Sequence, residues 1–143
     1  MASLTCGHVT TDFNGRYKLS LNQIKGEGAW GSYTAAMTTR PTFLVKKRGS
    51  KIYLTSLKVP TAVAHGVSTG PKSFVAKFYE SRPDYQSRDR SSFHSLQFEF
   101  TFTSTTTGTV RVEHVTNIIN EGADQEPNEE ICASHFTGTF RKR

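Results

Sequence analysis

The sequence predicts an all-β chain that folds as a single-domain antiparallel barrel of about eight strands. Three observations predict it. Apolar residues recur with a period of two, as in "RYKLSLN", where Tyr17, Leu19 and Leu21 alternate with Lys18, Ser20 and Asn22. Glycine and proline clusters cut the chain into runs of strand length. No segment sustains a capped helical stripe, and only "VTNIINEG" has room for one helical turn. At 143 residues the chain has the size of one domain, residues 1–143, with one core. Antiparallel strands in that number close into a barrel or pack as two sheets, because open edges pair with other chains. Short successive turns favour the barrel, with a two-sheet sandwich or jelly roll as the alternative.

The elements follow in order. "RYKLSLN" is the first strand, ended by "KGEG". "AWGSYTAAM" is the next, with Gly31 as a bulge or point of close approach. "FLVKK" and "KIYLTSLK" flank "RGS" as a hairpin. "PTAVAHGV" reads as an edge segment, since Pro60 has no N–H for a ladder. "SFVAKFYE" alternates Phe74, Ala76 and Phe78 against Val75, Lys77 and Tyr79. Residues 81 to 92, "SRPDYQSRDRSS", are expected as a long exposed loop, and residues 120 to 130 as a second one. "ICASHFTGTFRKR" closes the barrel.

The most structured stretch is "FHSLQFEFTFTSTTTGTVRVEHV". A turn at "STTTG" pairs Phe102 with Val110, Phe100 with Val112 and Phe98 with His114, then Leu96 with Thr116 and His94 with Ile118. His114 thereby becomes an inward polar group beside an aromatic ring. A buried imidazole needs a hydrogen-bond partner, for which Tyr17, Tyr33 or a water is expected. The plainest reading is a satisfied interior histidine. The sharper one is a ligand contact or an acid–base group, since histidine titrates near neutral pH.

Other chemistries find little support. In that register His94 and His114 stand four positions apart, roughly 13 Å, too far to share a metal ion. His135 should face away from the core, and His8 and His65 have no partners at ligand spacing, so no metal site is expected. Glu121, Asp124, Glu126, Glu129 and Glu130 do not match the spacing of a calcium loop. There is no Gly-x-Ser-x-Gly, and the glycine clusters lack the following helix that a phosphate loop needs. Glu99 and Glu113 fall on the outer face as adjacent like charges, unless Arg111 or Lys77 is near. Cys6 and Cys132 match neither metal nor redox spacing and read as reduced thiols, the alternative being a bridge between neighbouring terminal strands in an oxidising compartment. No cofactor is implied.

Charge is uneven. Residues 1 to 60 hold nine Lys and Arg against two Asp and Glu, whereas residues 121 to 143 hold three against five. Lys46, Lys47, Arg48 and Lys51 in "KKRGSK" form a positive hairpin tip, a candidate polyanion-binding element, and the tail "RKR" is a separate basic element. Trp30, the only tryptophan, is either a ligand-stacking face or a barrel-end plug. No apolar run reaches membrane-span length, and "MASLTCGHVTTDF" has no signal-peptide pattern. With no Asn-X-Ser/Thr acceptor, a cytoplasmic protein is expected, the alternative being a secreted one with its signal removed.

"FNGRYKLS", "RPTFLVKKRGSKIYLTS" and "HFTGTFRKR" resemble the calycin-type barrels, the group of lipocalins, fatty-acid-binding proteins and avidins. Gly15-Arg16-Tyr17 and Arg141 would occupy that group's opening and closing roles. Tyr17 stands where tryptophan is usual, and the several tryptophans of biotin-binding relatives are missing. The resemblance implies an architecture and no particular ligand. The leading expectation is a non-enzymatic protein that binds a small apolar molecule or a carbohydrate. Phe98, Phe100 and His114 would make the interior contacts, with Tyr17 or Trp30 near the mouth. One alternative is a small barrel isomerase or cyclase with His114 as its acid–base group. Another is a structural or assembly protein, and a homo-oligomer, whose basic face meets polyanion.

Overall fold

The computed structural model describes residues 11–25, 41–57, 63–83, 90–120 and 128–143. Within them run β1 (Gly15–Lys25), β2 (Thr42–Arg48), β3 (Lys51–Ser56), β4 (Val63–Gly70), β5 (Ser73–Pro83), β6 (Arg90–Phe102), β7 (Thr107–Asn120) and β8 (Asn128–Lys142). They form a closed antiparallel barrel in sequence order, with β8 returning to pair with β1. Alternation puts Tyr17, Leu19 and Leu21 inside and Arg16, Lys18 and Ser20 outside. The same rule brings Phe43, Val45, Ile52, Leu54, Phe74, Phe98, Phe100 and Val112 into one interior core.

β2 and β3 are joined by Gly49 and Ser50, with Arg48 opposite Lys51. Gly49 has φ +61°, and nothing lies within 4 Å of where its Cβ would stand. Gly49→Ala should therefore cost only the left-handed backbone penalty, about 1–2 kcal/mol, read as a lower urea midpoint with unchanged slope.

Five expectations change. β4 pairs with β3 on one side and β5 on the other, so it is no edge; the residues that enter the ladders, Val63 to Gly70, include no proline. β5 continues to Pro83 and β6 begins at Arg90, so most of the expected loop edges are ladder, with Pro83 opposite Ser91 and Arg82 opposite Ser92. The second polar segment likewise yields Asn128–Glu130 to β8, and "VTNIIN" is strand rather than a helical turn. The β6–β7 register is displaced by two residues: Phe102 faces Gly108, Phe100 faces Val110, Phe98 faces Val112 and Leu96 faces His114.

The register shift has a packing cause. Gly108 is not the turn residue. A Cβ there would meet the Thr101 carbonyl oxygen at 2.0 Å and the Phe140 ring at 2.7 Å. It is a strand glycine that makes room for a ring. The turn is made instead by residues 103–106, where the Ser104 hydroxyl accepts from the Thr107 N–H at 3.0 Å. The new register also sets Glu99 opposite Arg111 rather than Glu113, which removes the expected like-charge pair.

Candidate binding site

The end of the barrel that carries the β2–β3, β4–β5 and β6–β7 turns is closed by rings. Phe13, just before β1, lies across it with its centroid 5.0 Å from that of Phe74 and 5.7 Å from that of Phe102. Beneath it Tyr17 stacks on Phe140 at 5.2 Å and meets Phe100 edge-on at 5.5 Å, while Phe74 and Phe100 stack at 4.7 Å. Such contacts add to the area each ring buries. The segment before β1 is latched by Asn14, whose side-chain oxygen accepts from the Lys47 N–H at 2.8 Å. Asn14 also donates to the Asp12 carboxylate from both its backbone N–H and its amide, which lowers the Asp12 pKa, with a further contribution from the Lys142 charge.

Tyr17 is fully buried, and its hydroxyl donates to the Phe13 carbonyl oxygen at 2.7 Å. That bond fixes the plug to the barrel wall. Burial, and secondarily the Asp12 charge, push the phenol well above its ordinary range. An unfolded tyrosine ionises near pH 10, so the neutral form is favoured by folding. The contribution is whole below about pH 10 and is lost as pH rises beyond it, by about 1.4 kcal/mol per pH unit. Urea midpoints at pH 9 and pH 11 should show the drop, and Tyr17→Phe should lose this part of it.

Past the plug the lining changes. Phe43, Phe78 and Phe98 make the middle layer, with Phe98 5.2 Å from Phe43 and 5.6 Å from Phe78. The two buried polar residues among those described are Ser56 and His114. His114 is 2% exposed and shares a pairing row with Phe78 and Leu96. β5 to β8 then run on by five or six residues beyond this row, to Pro83, Arg90, Asn120 and Asn128. Among the described residues, β5 with β6, β6 with β7 and β7 with β8 stay paired over these stretches, as one four-stranded extension of the sheet. Its outer face exposes Tyr79, Phe93 and Ile131, an apolar group that sequence reading missed because it spans three strands.

Of the residues singled out from sequence, Tyr17, Phe98, Phe100 and His114 are brought together in the interior. Trp30, Tyr33 and Cys6 lie outside the described residues. His135 sits on the outer face opposite Glu113, its Nδ1 3.8 Å from the carboxylate. His94 faces Thr116, two register positions from His114 rather than four, or about 7 Å along the strand. Among the described residues no three His, Cys, Asp or Glu gather as metal ligands, and no helix is long and apolar enough to cross a membrane.

Lys46, Lys47, Arg48 and Lys51 are exposed at the β2–β3 tip, as the sequence places them. The fold adds what sequence distance concealed. Arg16, Lys18, Lys72, Arg141, Lys142 and Arg143 belong to the same end of the barrel, with Asp12 before β1 and Glu99 three residues in from the end of β6 as the described carboxylates nearest to them. Lys47 and Lys142 lie over the Phe13 and Phe102 rings, each 5.8 Å from the centroid. The plugged end is a positive pole. Comparison with known proteins returns no matching family model, no matching curated protein and no matching solved structure.

Proposed function

We propose that the chain is a non-catalytic binding protein of calycin-like design, taking a small, mainly apolar ligand on the His114 side of the plug. The observation that carries this reading is the position of His114, a buried imidazole that shares its pairing row with Phe78 and Leu96 and lies past the rings of Phe13, Tyr17, Phe74, Phe100, Phe102 and Phe140 that fill the other end. Ligand sites combine apolar lining with a few polar groups that fix orientation. Here Phe98 and Phe78 would offer apolar area from below, and His114 the orienting group. An imidazole has two ring nitrogens, so one can hold an internal partner while the other meets the ligand. Tyr17 and Phe100 then serve as the floor's support.

The test pairs a fluorescent fatty acid with a fluorescent hydrocarbon of similar length. Wild-type protein should bind both. His114→Leu should weaken the carboxylate ligand about tenfold, the worth of one hydrogen bond to a charged group, and leave the hydrocarbon unchanged. Equal loss for both, or no binding of either by wild type, would count against the assignment.

A further inference from the structure

A cluster of cationic side chains lies on the outer face, away from the interior core. Arg16 and Lys18 on β1 stand beside Arg143 and Arg141 at the end of β8: Lys18 is in register with Arg141, and the Arg16 and Arg143 backbones exchange hydrogen bonds at 3.2 and 2.9 Å. The result is a two-by-two array of cations on adjacent strands, with no ion pair to any carboxylate among the described residues. Like charges placed directly across a ladder destabilise it. The array surrounds a depression of about 280 Å³ whose other walls are Thr42 and Leu57. Thr42 is held in place, since its carbonyl accepts from the Leu57 N–H at 3.0 Å.

Lys18 and Arg141 also line an adjoining depression of about 480 Å³, whose polar side chains besides them are all hydroxyls, among them Ser20, Thr107, Thr109 and Thr139. Ser20, Thr139 and Thr109 are cross-strand partners, so these hydroxyls form a straight row. A concentrated positive site opening onto a row of hydroxyls has a specific chemical complement. Guanidinium forks match the oxygens of a phosphate group, and hydroxyls exchange hydrogen bonds with a polyol. We infer that this paired depression binds a phosphorylated sugar or polyol, its phosphate among Arg16, Lys18, Arg141 and Arg143 and its hydroxylated body along Ser20, Thr139 and Thr109.

Titration with glucose 6-phosphate, inorganic phosphate, glucose and chloride at constant ionic strength tests this, followed by backbone amide NMR and thermal unfolding. Glucose 6-phosphate should shift the Lys18, Ser20, Thr139 and Arg141 amides and raise the Tm. Inorganic phosphate should do so more weakly, and glucose and chloride not at all. Lys18→Gln and Arg141→Gln should each weaken the phosphate ester about tenfold or more while raising the unliganded Tm, because each relieves like-charge repulsion. Lys77→Gln, on β5 and in the lining of neither depression, should leave the affinity unchanged. A response to the ester no greater than to chloride would overturn the site, as would unchanged affinity in both glutamine variants. Vesicles carrying a phosphoinositide supply the remaining arm: binding to them with no response to the soluble ester would overturn the assignment of a free sugar phosphate.

Discussion

Gly138→Ala is expected to cost about 3 kcal/mol or more, at the upper end of what overpacking does, and to do so by opening the barrel. Gly138 faces Leu21 across the β1–β8 seam, the pairing that closes the sheet on itself. A methyl group at this position would stand 1.9 Å from the Ser20 carbonyl oxygen, with the Leu21 Cα at 3.0 Å. Both are backbone atoms of a paired strand, so no side chain can rotate away. Relief requires β1 and β8 to separate, which sacrifices ladder bonds on both sides of the contact. Equilibrium urea unfolding measures the loss. The contrast with Gly49→Ala is informative, because that glycine matters for its backbone angle and this one for its missing side chain. A Gly138→Ala loss no greater than that of Gly49→Ala would show that the seam is looser than its geometry.

Tyr17→Ala should destabilise the chain by about 3–5 kcal/mol, the range for deleting a large aromatic from a core. The ring is fully buried and has neighbours on several sides: Phe74 at 5.9 Å, Phe100 at 5.5 Å, Phe102 at 5.9 Å and Phe140 at 5.2 Å. Those rings are set on strands that cannot collapse inward independently, so much of the cavity would persist. Tyr17→Phe isolates the hydroxyl. It should cost about 1–2 kcal/mol by removing the donor to the Phe13 carbonyl. The measurement is again the urea midpoint, with near-ultraviolet circular dichroism reporting the packing of the plug.

Much of the fold is legible locally. Alternation in "RYKLSLN" and "SFVAKFYE" fixes which side chains face inward, and the interior residues of β1 and β5 follow it. The glycine in "RGS" marks the β2–β3 turn because a turn there needs a positive φ. The register of β6 on β7 is not local. "STTTG" offers the turn a glycine, but Phe140, more than thirty residues later, needs that glycine for its ring. The face of each residue survives because the slip is an even number, while its partner changes. The strand ends at Arg82–Pro83 and Arg90–Ser92 are hidden for a related reason. Their polar sequence has no alternation, and they are ordered by the strands they pair with.

The candidate site divides in the same way. His114 is recognisable as a polar group at an inward position, and the structure buries it there. Its neighbour across the ladder, Leu96 rather than Phe98, depends on the register. Tyr17, expected near a mouth, is fully buried among the rings of the plugged end; the sequence shows that it faces inward but not at which end rings from four other segments converge. The positive pole is also invisible in one dimension, because Arg16 and Arg141 are joined only by closure of β1 on β8.

The proposed function places an apolar ligand on the His114 side of the plug, and thermal unfolding against matched panels of lipids and oligosaccharides tests that placement. Saturation at a hundred times Kd stabilises the folded state by about 2.7 kcal/mol, which raises the Tm of a domain this size by roughly 5–10 °C. At least one lipid is predicted to do this in wild type, with a reduced shift in His114→Leu. A flat response across the whole lipid panel, from protein that unfolds cooperatively, would contradict it.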